Sequence, residues 1–214
     1  DAIIYELSEA YFTLPAMRVA GTLVPLFSLR SDSSFGVGDF GDLKKMVDWV
    51  SQTQQKVLQI LPINDTTTTH TWTDSYPYSC ISIFALHPQY ADLNSLPALK
   101  DKTQKARFEK ERRQLNALPQ IDYERVNELK NEYLKLIYEQ EGKTTISSKE
   151  FKAFFAENES WLVPYAQYSM LRDKYGIAEF AQWPDHNQWD ESERKMLSTS
   201  SNKAYKEVEF FYYV

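Results

Sequence analysis

The chain has little of what marks secreted or membrane proteins. It contains a single cysteine, Cys80, among 214 residues, so no disulfide can form within it. No apolar run approaches the roughly 20 residues needed to cross a bilayer, and the first residues contain no signal-type apolar segment. We therefore expect a soluble protein of a reducing, cytoplasmic compartment that has no membrane partner.

Positive charge is in the minority, and histidine and cysteine, two of the common metal ligands, are few. The 24 Lys and Arg residues are outnumbered by 30 Asp and Glu, which gives a net charge of −6. The averaged field repels nucleic acid, so we expect no nucleic-acid partner. The three histidines, at positions 70, 87 and 186, are far apart in sequence and the lone cysteine supplies no thiolate cluster, so the sequence predicts no metal site.

The apolar segments of the N-terminal third predict an α/β structure there. Hydrophobic residues make up 43% of it, enough for a real core. Two short apolar runs, Gly21–Leu29 and Lys56–Asn64, are typical of parallel strands covered on both faces, although Pro25 argues against a central strand. Between them Asp39 can cap a helix over Phe40–Val50, with Asp42 favourable in its first turn. This order predicts a βαβ unit.

From about residue 97 onward the sequence is charged and its apolar residues follow helical spacing. One helix is predicted to begin near Asp122, and a second at a capping box formed by Ser147 and Glu150. A third runs from about Ser160 to Tyr175 and stops at Gly176. The last residues, from Asn202 on, keep helical spacing with no stop signal, which predicts a helix cut off in mid-run.

Several catalytic patterns are incomplete. The glycines of Phe35–Gly41 do not follow the G-x-G-x-x-G spacing, no Walker lysine follows them, and Asp39 and Asp42 would repel a phosphate at that helix start. The pattern favours glycines that give a turn its backbone freedom. Neither the serines nor Cys80 lies in a recognisable nucleophile motif.

The polar and aromatic loop after the second predicted strand offers a better candidate site. Flat apolar rings can cover the C–H faces of a sugar while neighbouring polar groups bind its hydroxyls. The candidate residues are Asn64, Trp72, Asp74, Ser75, Tyr76 and Tyr78. The alternative interpretation is that these aromatic side chains cover the core.

The chain resembles the N-terminal part of the catalytic domain of the 4-alpha-glucanotransferases, the amylomaltase or disproportionating-enzyme group of glycoside hydrolase family 77. The resemblance covers roughly residues 21–214, in the family's order. It is carried by Pro25–Leu29, Ser34–Asp42, Lys56–Asn64, Asp74–Ser82 and Phe84–Ala85, and more weakly by Trp161–Ala166 and Trp183–Pro184.

The resemblance implies a fragment of a (β/α)8 barrel with a mainly helical inserted subdomain. It divides the chain into a lead-in from an upstream module (residues 1–20), two βα units with the donor-site loop (21–96), and a truncated helical insertion (97–214). It implies α-1,4-glucans and malto-oligosaccharides as substrates, a retaining mechanism with two carboxyl groups, and no metal or organic cofactor. The family's catalytic carboxylates fall beyond this sequence, so the fragment alone is expected to be inactive.

The loop Asp74–Tyr78 resembles the family's Asp-Ser-Pro-Tyr, whose tyrosine lines the donor-sugar subsite, which implies that role for Tyr78. The sequence departs from the family by inserting Tyr76 and by having Ser79-Cys80 where Gln-Ser is commoner. Two other functions stay open: an α-glucan hydrolase of the same barrel class, and a noncatalytic glycan-binding or interaction module.

Overall fold

A computed structural model describes residues 18–188 and 190–214. Most of the predicted lead-in, residues 1–17, lies outside the described residues. Strand β1 (Gly21–Leu23) pairs in parallel with β2 (Val57–Gln59), with Thr22 opposite Leu58, and helix α1 (Phe40–Gln52) connects them. The Asp39 carboxylate accepts hydrogen bonds from the amides of Gly41 and Asp42, so the predicted cap of α1 is confirmed.

Both strands are shorter and more exposed than the sequence predicts. After Pro25 the chain turns into a 3₁₀ turn at Leu26–Ser28, because proline cannot donate to the strand ladder. Leu23 and Val57 are exposed, so the expectation that both faces would be covered is wrong for them. Within the described part of the chain β1 and β2 pair only with each other.

Five helices follow: α2 (Lys102–Asn116), α3 (Tyr123–Ser147), α4 (Lys149–Tyr175), α5 (Glu191–Leu197) and α6 (Tyr205–Tyr213). The helix start predicted near Asp122 and the stop predicted at Gly176 are confirmed: the Asp122 carboxylate caps α3 by accepting from the Arg125 amide, and Gly176 has a φ of 67°.

Two helix predictions are wrong. Ser148, rather than Ser147, caps α4 and accepts from the Phe151 amide, because the Ser147 hydroxyl donates back to the Thr144 carbonyl at the end of α3. The two helices expected after residue 147 form one continuous helix that passes through Pro164.

The helical part packs directly on the α/β part. A shared core joins Phe35 and Val37, which precede α1, to buried side chains of α2, α3 and α6, and a second cluster joins α4, α5 and α6. Buried Lys130 connects α3 to the segment before α2, since its Nζ donates to the Gln89 and Ala91 carbonyls at 2.6 and 2.8 Å. The loop that follows β2 therefore lies next to two parts of the chain that share one core.

Candidate functional site

The loop that carries the candidate residues is closed at its base by backbone hydrogen bonds. Asn64 forms an isolated antiparallel bridge with Leu86. The Asp65 amide donates to the Ala85 carbonyl at 2.9 Å, and the Ile81 amide donates to the Asp65 carbonyl at 2.8 Å. Residues 65–81 therefore form one loop whose two ends are held together by these hydrogen bonds.

Asp74 organises the inside of this loop. It is buried, and its carboxylate accepts hydrogen bonds from the amides of Thr68, Thr69 and His70 and from the Thr68 hydroxyl. Burial alone would raise the pKa of Asp74, but these hydrogen bonds lower it below its ordinary value. The carboxylate that the sequence offered as a sugar ligand is thus engaged in holding the loop backbone.

The aromatic side chains of the loop point outward. Trp72, Tyr76 and Tyr78 are all exposed, Tyr76 by 59% and Tyr78 by 60%, and the rings of the two tyrosines are 5.6 Å apart. Ser75 is half-buried beside them. Asn64 lies at the loop base, where its side-chain amide donates to the Ala85 carbonyl at 3.5 Å. The loop therefore presents flat apolar surface to solvent, which suits contact with a sugar face.

Helix α4 supplies partners for the loop that reasoning from the sequence missed. The Tyr165 hydroxyl donates to the Asp65 carboxylate at 2.6 Å, and Arg172 donates to the Thr67 carbonyl at 2.8 Å. His70 Nε2 lies 2.8 Å from Asp173 Oδ1. These pairs join residues about 100 positions apart, so no local spacing in the sequence could have indicated them.

A cleft of about 760 Å³ lies between this loop and helices α3, α4 and α6. Acidic side chains of α3 line one side, among them Glu128 and Glu132, while Arg172 and Asp173 lie on the other. His87, at the wall, is buried and accepts from the Gln89 amide through Nδ1, and its Nε2 finds no hydrogen-bond partner among the described residues. Burial lowers the pKa of His87, which favours the neutral ring.

Residues 18–188 and 190–214 contain no cluster of three or more His, Cys, Asp or Glu side chains that could hold a metal ion. None of the helices in this described part combines the length and the apolar character needed to cross a membrane.

The sequence profile of the 4-alpha-glucanotransferases, glycoside hydrolase family 77, matches residues 24–214. The chain is 36% identical to the rice 4-alpha-glucanotransferase DPE2, over 97% of this chain and 22% of that protein. It is 35% identical to the 4-alpha-glucanotransferase of Chlamydia trachomatis serovar D, over 81% of this chain and 33% of that protein.

The fold is similar to that of the Streptococcus agalactiae amylomaltase solved in complex with acarbose. The TM-score is 0.70 at 22% identity, over 92% of this chain and 38% of that one. The chain thus spans about a fifth to a third of the length of these curated relatives. The family predicted from the motifs is confirmed: this chain belongs to the 4-alpha-glucanotransferase family, glycoside hydrolase family 77.

Proposed function

We propose that this chain is the N-terminal part of the catalytic domain of a cytoplasmic 4-alpha-glucanotransferase. The enzyme would transfer α-1,4-glucan segments between malto-oligosaccharides or to an acceptor glucan. The observation that carries the proposal is the family match over residues 24–214, which includes the loop with the exposed tyrosines.

Within that domain we assign β1, α1 and β2 to the first two βα units of a (β/α)8 barrel, and residues 97–214 to a helical insertion. The parallel pairing of β1 with β2 through a helix supports this assignment. In such barrels the loops at the carboxyl ends of the strands form the active site, and the loop of residues 65–81 follows β2.

For the chemistry we propose a retaining mechanism with two carboxyl groups supplied by a part of the domain outside this sequence. Residues 74–78 would form part of the donor-sugar wall, with Tyr78 as the stacking ring and no metal or organic cofactor. Asp74 would serve this wall by shaping the loop, and Ser75 and Asn64 by lining it. The 214-residue chain alone would not turn over maltotriose.

The test is a product profile from maltotriose, incubated with this chain and with a family-length protein that carries it. Glucose together with maltopentaose and longer products, made only by the longer protein, is the expected result. Glucose without longer products would indicate a hydrolase. Turnover by the 214-residue chain would contradict the assignment of the catalytic carboxylates to another segment, and no turnover by either protein would leave glycan binding without catalysis as the function.

Tyr78→Ala tests the donor wall, and Tyr76→Ala is its matched control because the two rings are equally exposed neighbours. In the family-length protein, Tyr78→Ala is expected to lower kcat/KM for maltotriose by about tenfold to a hundredfold, with the melting temperature nearly unchanged since the ring is exposed. Acarbose affinity should fall in parallel. A larger loss from Tyr76→Ala would move the stacking role to that residue.

A further inference from the structure

We infer that helix α4 positions the donor-sugar loop, with Tyr165, Arg172 and Asp173 as positioning residues for Tyr78. This inference rests on the proposed function of the loop. None of the three side chains needs to touch the sugar, because each acts through the backbone or side chain of a loop residue.

The contacts run in the same order along helix α4 as along the loop. Tyr165, Arg172 and Asp173 hold residues 65, 67 and 70 respectively, each through a hydrogen bond of 2.6 to 2.8 Å. Arg172 Nε also donates to Asp173 Oδ1 at 2.9 Å, so the two neighbours on α4 form one unit. Asp65, Thr67 and His70 are therefore fixed to the same helix.

The loop carries this restraint on to the aromatic residues. The amides of residues 68–70, which belong to the segment of residues 65–70 that α4 holds, donate to the Asp74 carboxylate. Asp74 directly precedes the Ser75–Tyr78 segment. A shift of residues 65–70 relative to α4 would therefore move Asp74 and, with it, the ring of Tyr78.

The backbone at His70 indicates that these contacts determine the conformation of the loop. His70 has a φ of 58°, in the left-handed region, which a residue with a side chain adopts only at a cost of about 1 kcal/mol or more. Such a conformation persists where the surroundings fix it. Here the fixing groups are Asp74, which accepts from the His70 amide, and Asp173, which binds the ring.

Tyr165→Phe is the cleanest test because it removes one hydroxyl and keeps the ring. Tyr168→Phe is its matched control, since Tyr168 lies on the same helix and donates its hydroxyl to the Ala178 carbonyl at 2.9 Å, away from the loop. In the family-length protein Tyr165→Phe is expected to lower kcat/KM for maltotriose about tenfold, as for the loss of a hydrogen bond to a charged group. Tyr168→Phe should change it less than about twofold.

A double-mutant comparison separates positioning of Tyr78 from a general structural effect. When Tyr78 is already alanine, adding Tyr165→Phe should lower kcat/KM by less than about twofold further. Equal losses with and without the Tyr78 ring, or equal losses from Tyr165→Phe and Tyr168→Phe, would overturn the inference. If Tyr78→Ala by itself left kcat/KM unchanged, the result would instead contradict the proposal that Tyr78 lines the donor-sugar subsite.

A second readout does not depend on activity. In the 214-residue chain, Tyr165→Phe should speed amide hydrogen exchange at residues 68–70 by about tenfold, while Tyr168→Phe leaves it unchanged. Unchanged exchange at these amides in Tyr165→Phe would show that α4 does not hold the loop.

Discussion

At the scale of single residues, Lys130 is the most unusual side chain of the helical part, because it is a fully buried cation. Its Nζ also lies 3.8 Å from the Asp39 carboxylate, which caps α1. Burial lowers the pKa of Lys130 to about 8, while the charge of Asp39 opposes this shift. One amine thus joins the start of α1, helix α3 and the segment that follows the loop of residues 65–81.

Lys130→Met should lower the free energy of unfolding by about 3 kcal/mol, because it leaves two carbonyl groups without their donor and the buried Asp39 carboxylate without its neighbouring cation. Chemical denaturation of the 214-residue chain measures this change. Arg113→Met, which removes an exposed cation on α2, is a suitable control and should cost less than about 0.5 kcal/mol. Equal stabilities of the Lys130→Met variant and the parent would contradict the anchoring role.

The same lysine predicts a pH dependence. Its pKa is lower in the folded chain, about 8, than its ordinary value of 10.5, so between these values the unfolded chain binds more protons. The free energy of unfolding should therefore rise as the pH increases from 8 to about 9, where tyrosines of the unfolded chain are still largely protonated. The rise should be absent in Lys130→Met, and a fall over this range in the parent chain would contradict the lowered pKa.

Asp74 shows why the residue type alone does not assign a role in this loop. The sequence offers its carboxylate to a sugar, but three backbone amides already occupy it. Asp74→Asn should cost about 1 to 3 kcal/mol, because an amide nitrogen cannot accept and leaves N–H groups unpaired. Hydrogen exchange at residues 66–80 should quicken in the 214-residue chain. Lost acarbose affinity with unchanged exchange and stability would instead make Asp74 a sugar ligand.

At the scale of elements, substitutions at two glycines with positive φ allow the cost of backbone strain to be measured apart from the cost of a steric clash. Gly176, the stop of α4, has open space where a Cβ would lie, whereas a Cβ on Gly36 would come within 2.7 Å of the Leu115 Cβ. Gly176→Ala should therefore cost about 1 kcal/mol, the conformational penalty alone. Gly36→Ala should cost about 3 kcal/mol, because overpacking of the core is added. Equal losses in denaturation experiments would mean that Leu115 moves aside freely.

Elements set by local chemistry were predictable, and those set by distant contacts were not. The cap of α1 at Asp39 and the stop at Gly176 follow from hydrogen bonds and backbone freedom within a few residues. The uninterrupted course of α4 through Pro164 depends on packing against α5 and α6. In the site, the sequence indicated an aromatic loop but left open whether its rings face solvent or cover the core. Tyr165 could not be predicted, because its partner Asp65 lies 100 positions away and leaves no periodic signal.

At the scale of the whole molecule, the described chain exposes apolar surface directly after the loop of residues 65–81. Ile83, Phe84 and Leu86 are exposed, and the Phe84 ring stacks on Trp161 of α4 with 5.6 Å between centroids. Leu23 and Val57 of the two-stranded sheet are exposed as well. Surface of this kind and open strand edges favour contact with further protein.

We therefore expect the 214-residue chain to self-associate, with a sedimentation coefficient that increases with concentration in analytical ultracentrifugation. Phe84→Ser should weaken this association, because it removes the exposed aromatic ring of the Ile83–Leu86 segment. Phe180→Ser is the control, since Phe180 is 48% exposed, compared with 56% for Phe84, and lies in the turn after α4. Equal weakening by both variants would indicate nonspecific apolar contact, and a monomer at every concentration would mean that the Ile83–Leu86 segment does not drive association.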